Sequence, residues 1–282
     1  FSHAKKSTGF GHAGRCAQLY NILKSSRKDL SIAFCGPYTK TARILIKKIC
    51  KDLVFYDSVP KAKIIFYDRM DNILKPEKFS QKNINKLRKN CLKLVFMANG
   101  LKCPVSNKID YFFGYKISQE IYKEKNIFWG PYYSPVYMPL KNKQDIKFEE
   151  KQALIVLGGG FNKTDVKKII FALKYIDKIK VIKVILSPVN KSYEFKEEIN
   201  CKKIHILSNL DTLQTVIEQS SIIICSYGHL TYEAMALGKA MCVVAKKNFQ
   251  LEYAKVLENK NLCVSAGLID KLNTIDLKKM LN

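Results

Sequence analysis

Three short glycine-containing stretches carry residue types that could hold a phosphorylated ligand and act on it. The first stretch contains Gly9, Gly11, His12 and Arg15. Glycines in a turn before a helix let a ligand approach the backbone closely and leave N–H groups free to bind it. A histidine there is suited to act as a general base or an anion donor, and an arginine to neutralise an anion. Alternatively, both side chains serve structure only, His12 as a polar helix-start residue and Arg15 in a surface ion pair.

The same glycines raise the alternative of a dinucleotide-binding dehydrogenase. Gly9, Gly11 and Gly14 fit the pattern G-x-G-x-x-G. Such a site needs an acidic residue at the end of the second strand to bind the ribose hydroxyls. Here that strand ends before Gly36, and Asp29 precedes it. We therefore expect neither a nicotinamide nor any other cofactor.

The second stretch is a run of three glycines, Gly158-Gly159-Gly160, directly after an apolar segment. Three successive glycines exceed what a tight turn requires, and they permit close approach by a ribose or a diphosphate. The run is not a Walker loop, because no Gly-Lys-Ser/Thr follows at the needed spacing. We predict that Gly158 and Gly159 contact a nucleotide.

The third stretch is a strand, turn and helix that contains Gly228, His229, Leu230 and Glu233. Unpaired N–H groups at a helix N-terminus suit a diphosphate. Glu233, expected in the first helical turn, could accept both hydroxyls of a ribose, or could simply favour the positive end of the helix.

Two polar residues follow the next strand, at the same rim of the predicted sheet. Asn248 and Gln250 could bind sugar hydroxyls from this position. Polar loop residues alone are a weak signal, so this assignment depends on the stretches around it.

The elements that must position these stretches alternate between strand and helix. Alternation of this kind predicts parallel sheets with right-handed crossovers. Strands are predicted at 31–35, 63–67, 92–97, 153–157, 180–186, 203–207, 221–225 and 240–245, and helices at 12–23, 39–50, 83–91, 166–175, 210–218, 230–237 and 251–258.

The alternation lapses between residues 132 and 150, where prolines and a charged run indicate a linker. We therefore predict an α/β protein of two tandem Rossmann-like domains, 1–140 and 151–282, with a ligand-binding cleft between them. The chain starts at Phe1 without a methionine, so we expect the first strand to be truncated.

The composition limits the partners and the compartment. The 282 residues include 49 basic and 24 acidic ones, a formal net charge of +25, and the excess is nearly all lysine. A nucleic-acid reader would more often show arginine clusters with interleaved aromatics, so no nucleic-acid partner is expected. Nine dispersed cysteines without a C-x-x-C pair or a His/Cys cluster predict a reducing, cytoplasmic location and no metal site.

Together the stretches resemble the UDP-sugar hydrolase of pseudaminic acid synthesis and its relatives, the spore coat polysaccharide glycosyltransferases. They are more distantly similar to the N-acetylglucosaminyl transferase of peptidoglycan lipid synthesis. The matching residues are Gly9-Phe10-Gly11-His12 with Arg15, Asp68 at the end of a strand, Gly130-Pro131-Tyr132-Tyr133, Gly158-Gly159, the segment 232–238, Asn248 and Gln250.

The resemblance implies a GT-B-like enzyme whose C-terminal domain holds the nucleotide while its N-terminal domain faces the sugar. In the hydrolase, water attacks the anomeric carbon with inversion, and UDP leaves. Carried over, His12 would activate the water. The implied substrate-binding residues are Gly9, Gly11, Arg15, Asp68, Asn248 and Gln250, and the implied nucleotide-binding residues are Gly158, Gly159, Gly228, His229, Leu230 and Glu233.

Two departures from the hydrolase pattern leave rival functions open. Phe1 and His3 stand where the family has Arg-x-Asp, and Gly160-Phe161 replaces its usual aspartate. One rival is a glycosyltransferase whose lysine surplus docks on a membrane. An exposed apolar patch rimmed by lysine near the mouth of the N-terminal domain would distinguish it, and absence of the patch would favour the hydrolase.

The other rival is a non-catalytic protein that binds a nucleotide sugar or a nucleic acid. Burial of His12 against core atoms would favour this second rival.

Overall fold

A computed structural model of the chain describes residues 11–68, 81–98, 108–115, 124–136, 151–158, 161–186, 204–207 and 213–281. The chain divides into two compact units, Phe1–Tyr137 and Met138–Asn282. This division falls inside the segment predicted as the linker. Gly9, Gly159 and the predicted truncated first strand lie outside the described residues.

The first unit contains parallel strands together with helices. Its described strands form a two-stranded sheet, β1-β2, and a four-stranded sheet in the order β3-β4-β5-β6. A short 3₁₀ helix, Pro131–Tyr133, follows the last strand. The elements are α1 (Gly11–Ser26), β1 (Ala33–Cys35), α2 (Lys40–Ile49), β2 (Val54–Tyr56), β3 (Ala62–Tyr67), α3 (Gln81–Arg88), β4 (Cys91–Ala98), β5 (Tyr111–Gly114) and β6 (Ile127–Trp129).

Apolar spacing and capping explain how α1 and α2 form. Ala13, Ala17 and Tyr20 recur on one face of α1 and are buried in a small core that also contains residues of α2. Thr39 caps α2, because its hydroxyl accepts a hydrogen bond from the backbone N–H of Ala42. Packing of these two helices fixes the start of α1, where the first glycine stretch ends.

The second unit contains one six-stranded parallel sheet in the order β12-β11-β10-β7-β8-β9. This is the doubly wound order, in which the chain switches direction between β7 and β10. The elements are β7 (Gln152–Val156), α4 (Lys163–Lys174), β8 (Val181–Ile185), β9 (Ile204–Leu207), α5 (Leu213–Gln219), β10 (Ile222–Cys225), α6 (His229–Ala236), β11 (Ala240–Ala245), α7 (Asn248–Glu258), β12 (Val264–Leu268) and α8 (Thr274–Leu281).

The core of the second unit explains why its strands are almost continuously apolar. Both faces of a parallel sheet are covered, so β7 and β11 are buried along nearly their whole length. Residues Ile169, Ile170 and Leu173 of α4 pack into the same core. Among the described helices, none combines the length and apolarity needed to cross a membrane.

The parallel α/β architecture agrees with the prediction, although several short elements of the structure were not predicted. The predicted strands and helices lie within a few residues of the observed ones, and the predicted strand 240–245 coincides with β11. The sequence analysis does not predict β2, β5, β6, β12 or α8. These elements contain three to eight residues.

A glycine in the sheet of the first unit gives a test of this packing. A Cβ atom at Gly114 would lie 2.1 Å from Cε3 of Trp129. Gly114→Ala must therefore displace the indole, and we expect the free energy of unfolding to fall by about 1–3 kcal/mol. Urea unfolding monitored by circular dichroism measures the change.

Gly14→Ala is the matched control, because a Cβ there meets nothing within 4 Å and lies inside α1. Alanine in a helix interior should leave stability unchanged or raise it by up to about 1 kcal/mol. Equal destabilisation by both variants would contradict the proposed packing of Gly114 against Trp129.

Candidate functional site

The first two turns of α1 and the end of β3 bring three polar side chains of the first unit together. His12 and Arg15 lie three residues apart, so they project from the same side of α1. Asp68 follows β3 directly, after the buried Tyr67. The sequence analysis assigns all three residues to one site, and the structure places them in contact.

Asp68 is the centre of this group, which we call the His12 cluster (His12, Arg15 and Asp68). Nε of Arg15 donates to Oδ2 of Asp68 at 2.9 Å, and Nη2 donates to Oδ1 at 2.6 Å. Such a two-point contact fixes the guanidinium plane against the carboxylate. Nδ1 of His12 lies 3.0 Å from Oδ1 of Asp68.

The cluster is buried, with 6% of His12, 5% of Arg15 and 1% of Asp68 exposed. Burial raises the pKa of the Asp68 carboxyl, but the charge of Arg15 and contacts with His12 and Arg15 outweigh it, so the net shift is downward. Burial lowers the pKa of the Arg15 guanidinium, and the opposing effect of Asp68 again prevails. Both groups are therefore charged at neutral pH, and their charges cancel.

The position of His12 determines which of its nitrogens can act on a ligand. Nδ1 lies near two groups, Oδ1 of Asp68 and, at 2.7 Å, Nη2 of Arg15. It therefore either donates its proton to the carboxylate or accepts one from the guanidinium, which never gives up its charge. Only the first pattern leaves the lone pair of a neutral imidazole on Nε2, where it can accept a proton.

Two further side chains complete the surroundings of the His12 cluster. The guanidinium of Arg15 lies over the ring of Tyr115, 5.2 Å from its centroid, an arrangement that stabilises a buried cation. The half-buried thiol of Cys16 donates to Oδ2 of Asp68 at 3.6 Å. The sequence analysis assigns neither residue to the site. Tyr115 is 47 positions from Asp68, and no spacing signal links them.

The structure changes the roles expected for these residues. We expected His12 at a ligand-facing surface, but its side chain is almost completely buried. Its polar contacts are with the charged Asp68 and Arg15, but its burial is a feature that the non-catalytic rival shares. The charge of Arg15 is already neutralised by Asp68, so the substrate-binding roles of Arg15 and Asp68 stay predictions. Gly11, also predicted to bind substrate, is the exposed first residue of α1.

The second unit has its candidate residues at the carboxyl edge of its sheet, at the switch point between β7 and β10. Gly158 follows β7, and its backbone N–H donates to Oγ of Ser226, which follows β10, at 3.2 Å. A Cβ at Gly158 would lie 3.3 Å from the same hydroxyl. This glycine therefore permits close contact between the two loops. Crevices at such switch points are where α/β sheets bind ligands.

Helix α6 begins at this edge, with Gly228 as its N-cap residue. His229 and Leu230 are its first two residues, so their backbone N–H groups lie at the N-terminus of the helix. We expected Glu233 in the first turn of this helix. It lies in the second turn, because the helix starts at His229. Its Oε1 is 3.6 Å from Nε2 of His229. Both side chains are mostly buried.

Gln250 joins two loops of this edge, whereas Asn248 is exposed at the start of α7. Oε1 of Gln250 accepts hydrogen bonds from the backbone N–H groups of Lys246 and Lys247, and its Nε2 donates to the carbonyl of Tyr227 at 3.4 Å. These contacts use the amide group of Gln250 inside the protein. Its assignment as a sugar ligand stays a prediction, as does that of Asn248.

A second polar group at this edge was not assigned by the sequence analysis. Nζ of Lys246 donates to Asp165 at 3.0 Å and to Asp270 at 3.2 Å. Asp165 also forms a reciprocal cap with Asn162 at the start of α4. The pattern N-x-x-D before an apolar run was a readable signal for this cap. Within the described part of the chain, no group of three or more metal-ligating side chains occurs.

Comparisons with known proteins connect this architecture to a fold. No family model matches the chain. A relative, the uncharacterized protein MJ1062 of Methanocaldococcus jannaschii, is 27% identical in an alignment 278 residues long that covers 86% of this chain. The chain spans about half the length of that relative, 54%.

Solved structures match nearly the whole chain at low sequence identity. The glycotransferase of kitacinnamycin has a TM-score of 0.59 at 12% identity, and MurG of Acinetobacter baumannii has 0.60 at 12%. Each match covers 99% of this chain and 88% of the other. LpCGTa in complex with UDP has a TM-score of 0.56 at 10% identity, and the match covers 94% of this chain and 83% of LpCGTa. The chain has the GT-B fold. The predicted fold class, two tandem Rossmann-like domains, is thereby confirmed.

The buried ion pair of the His12 cluster generates a stability prediction. Asp68→Asn leaves the Arg15 charge buried without its counter-ion, so we expect the free energy of unfolding at pH 7 to fall by about 3–5 kcal/mol. Because the folded pKa of Asp68 is lowered, its contribution is complete above about pH 4, the ordinary range of an aspartate. It is lost as the pH falls further. The difference between wild type and variant should therefore narrow at pH 3.

Urea unfolding at pH 7 and pH 3 measures this difference, with Asp57→Asn as the control. Asp57 also pairs with an arginine, Arg43, but the Asp57 side chain is 87% exposed. The free energy of unfolding of Asp57→Asn should therefore equal that of wild type within experimental error. A difference for Asp68→Asn that grows at pH 3 would contradict the assigned charge state.

Proposed function

We propose that the chain is an enzyme that acts on a nucleotide sugar, with His12 as the base that activates a hydroxyl group for attack on the anomeric carbon. The observation that carries this proposal is the contact between Nδ1 of His12 and the buried carboxylate of Asp68 at 3.0 Å. In the proposed tautomer, Nδ1 donates its proton to this carboxylate, which orients the ring and leaves the lone pair on Nε2. The GT-B fold supports the substrate class only by analogy.

The proposed step is an inverting displacement. Nε2 of His12 takes the proton of the attacking hydroxyl, and the hydroxyl oxygen bonds to the anomeric carbon. The bond from that carbon to the diphosphate oxygen breaks, and the nucleoside diphosphate leaves with the electron pair. Asp68 stabilises the imidazolium as it forms, against the opposing positive charge of Arg15, whose Nη2 lies 2.7 Å from Nδ1 of His12.

The second unit supplies the proposed nucleotide site. The N-terminus of α6 presents backbone N–H groups of Gly228, His229 and Leu230, which suit a diphosphate without a metal ion. Glu233 is proposed to accept the ribose hydroxyls, in competition with its contact with His229. UDP is the proposed nucleotide, on the sequence resemblance and on the similar LpCGTa structure, which is a complex with UDP.

The attacking hydroxyl distinguishes the two candidate reactions. If it belongs to water, the enzyme is a hydrolase, as the sequence resemblance to pseudaminic acid synthesis implies, and its product would serve surface glycan assembly. If it belongs to a lipid or polysaccharide, the enzyme is a glycosyltransferase. The same base and the same leaving group serve both reactions, so the His12 cluster alone does not choose between them.

One surface observation bears on the transferase. The expected apolar patch rimmed by lysine would lie near the mouth of the N-terminal domain, whereas the observed groove is assigned only to the first unit. Ile44 and Val54 are about half exposed beside a groove that Lys40, Arg43 and Lys47 also line. Such a patch suits an acceptor that has an apolar part. One similar solved structure is the glycotransferase of kitacinnamycin.

The reaction class can be decided with a panel of UDP- and CMP-sugars. Release of free nucleotide is measured with and without lipid and polysaccharide acceptors. Release without acceptor supports the hydrolase, and release that requires an acceptor supports the transferase. Binding of a nucleotide sugar without release under any condition would overturn the enzymatic proposal in favour of the non-catalytic rival.

A histidine variant tests the proposed base. His12→Ala should lower turnover about 10²- to 10⁴-fold, because proton transfer is lost, while the dissociation constant of UDP changes little. His205→Ala is the matched control, since His205 is exposed on β9 of the second unit, and its turnover should equal that of wild type. Unchanged turnover in His12→Ala would remove this residue from the mechanism.

A carboxylate variant tests the ribose role separately. Glu233→Gln should weaken UDP binding about tenfold in isothermal titration calorimetry, because the amide replaces a charged acceptor of two hydrogen bonds. Glu252→Gln, an exposed position on α7, is the control and should bind UDP like wild type. An unaltered dissociation constant in Glu233→Gln would reject the proposed contact.

A further inference from the structure

A groove of about 400 Å³ lies along the outer face of α4 in the second unit. Lys167, Lys168, Phe171 and Lys174 line it from α4, and Thr274 lines it from the start of α8. Positions three and four residues apart lie on one side of a helix, so these side chains form a continuous stripe. None of the proposed catalytic or nucleotide-binding residues belongs to this stripe.

Large exposed apolar side chains lie on the same two helices as the lysines of the stripe. Phe171 and Tyr175 on α4 are 54% and 49% exposed, and their rings contact each other edge to face at a centroid distance of 5.0 Å. Ile275 and Met280 on α8, which packs against α4, are 60% and 46% exposed. Phe171 and Tyr175 thus form one contiguous exposed aromatic pair beside the lysines of α4.

The charge of the two helices is strongly positive. Segments 163–178 and 274–281 contain seven lysines and three aspartates. One of these aspartates, Asp165, is buried and caps α4. Among the described residues that line the groove, none is acidic. The groove is therefore complementary in charge to an anionic partner.

The chemistry of the stripe distinguishes a lipid surface from a nucleic acid. Reading of bases and phosphates by forked contacts uses arginine, and the chain has no arginine after Arg88. Lysines whose ammonium groups reach lipid phosphates, beside aromatic and aliphatic side chains that enter the acyl boundary, are typical of a peripheral membrane contact.

We infer that the face formed by α4 and α8 docks on anionic lipid bilayers, with Lys167 and Lys174 binding headgroup phosphates and Phe171 inserting among the acyl chains. The inference locates the lysine-rich membrane contact that the sequence analysis left unassigned. It depends on the second unit alone and holds whether the proposed reaction is transfer, hydrolysis or neither. Failure of His12→Ala to affect turnover would therefore leave it untouched.

Vesicle cosedimentation tests the inference with the full chain. Vesicles of phosphatidylcholine with 30% phosphatidylglycerol should bind the protein, and pure phosphatidylcholine vesicles should bind it at least about tenfold more weakly. Lys167→Glu/Lys174→Glu should reduce binding to the anionic vesicles by about tenfold or more. Phe171→Ser should reduce it several-fold and retain the salt dependence, because it removes insertion and no charge.

Matched controls separate this surface from the total charge of the protein. Lys61→Glu/Lys255→Glu changes the net charge by the same amount at two exposed positions outside the groove, and Tyr132→Ser removes a side chain that is 97% exposed. Both should bind within about twofold of wild type, and circular dichroism checks that every variant is folded. Equal loss in both lysine pairs would overturn the inference. Equal binding to neutral and anionic vesicles would also overturn it. So would binding of single-stranded RNA that is tighter than binding of vesicles and is abolished by the groove variants.

Discussion

A buried negative charge at Asp68 is the constraint on which the first unit depends. A carboxylate that is 1% exposed is stable only with a counter-charge and hydrogen-bond donors. Arg15 supplies both from α1, and the fixed carboxylate then holds one nitrogen of His12. The order and spacing of α1 and β3 therefore serve one requirement, because a shift of either element would leave a charge without its partner.

The second unit is proposed to meet a different requirement, that of binding an anion with backbone groups. The strand order of its parallel sheet reverses between β7 and β10, and Gly158 allows the loops beyond these two strands to approach each other closely. Gln250 ties the loop before α6 to the start of α7. At the carboxyl edge of this sheet, the N-terminus of α6 holds the backbone N–H groups that are proposed to bind the diphosphate. The two chemical tasks of the proposed reaction, proton transfer and leaving-group stabilisation, fall in different units.

The fold was predictable because strand and helix alternate with clear apolar runs in both units. Contacts between distant residues were less accessible. The sequence indicated His12, Arg15 and Asp68 as site residues. It did not show that Asp68 neutralises the charge of Arg15, because a separation of 53 residues along the chain does not predict a two-point contact. Tyr115 and the Lys246 contacts with Asp165 and Asp270 were missed for the same reason. Glu233 was placed one turn too early because helix boundaries shift by one or two residues.

The tautomer of His12 in the neutral imidazole is the central claim, because a base needs its lone pair on Nε2. Nitrogen-15 NMR of the uniformly labelled protein at pH 8 measures it directly, with the four histidines of the chain distinguished by a His12→Ala spectrum. The account predicts a proton on Nδ1, coupled to the Asp68 carboxylate, and an unprotonated Nε2. A proton on Nε2, with Nδ1 accepting from Arg15, would contradict it.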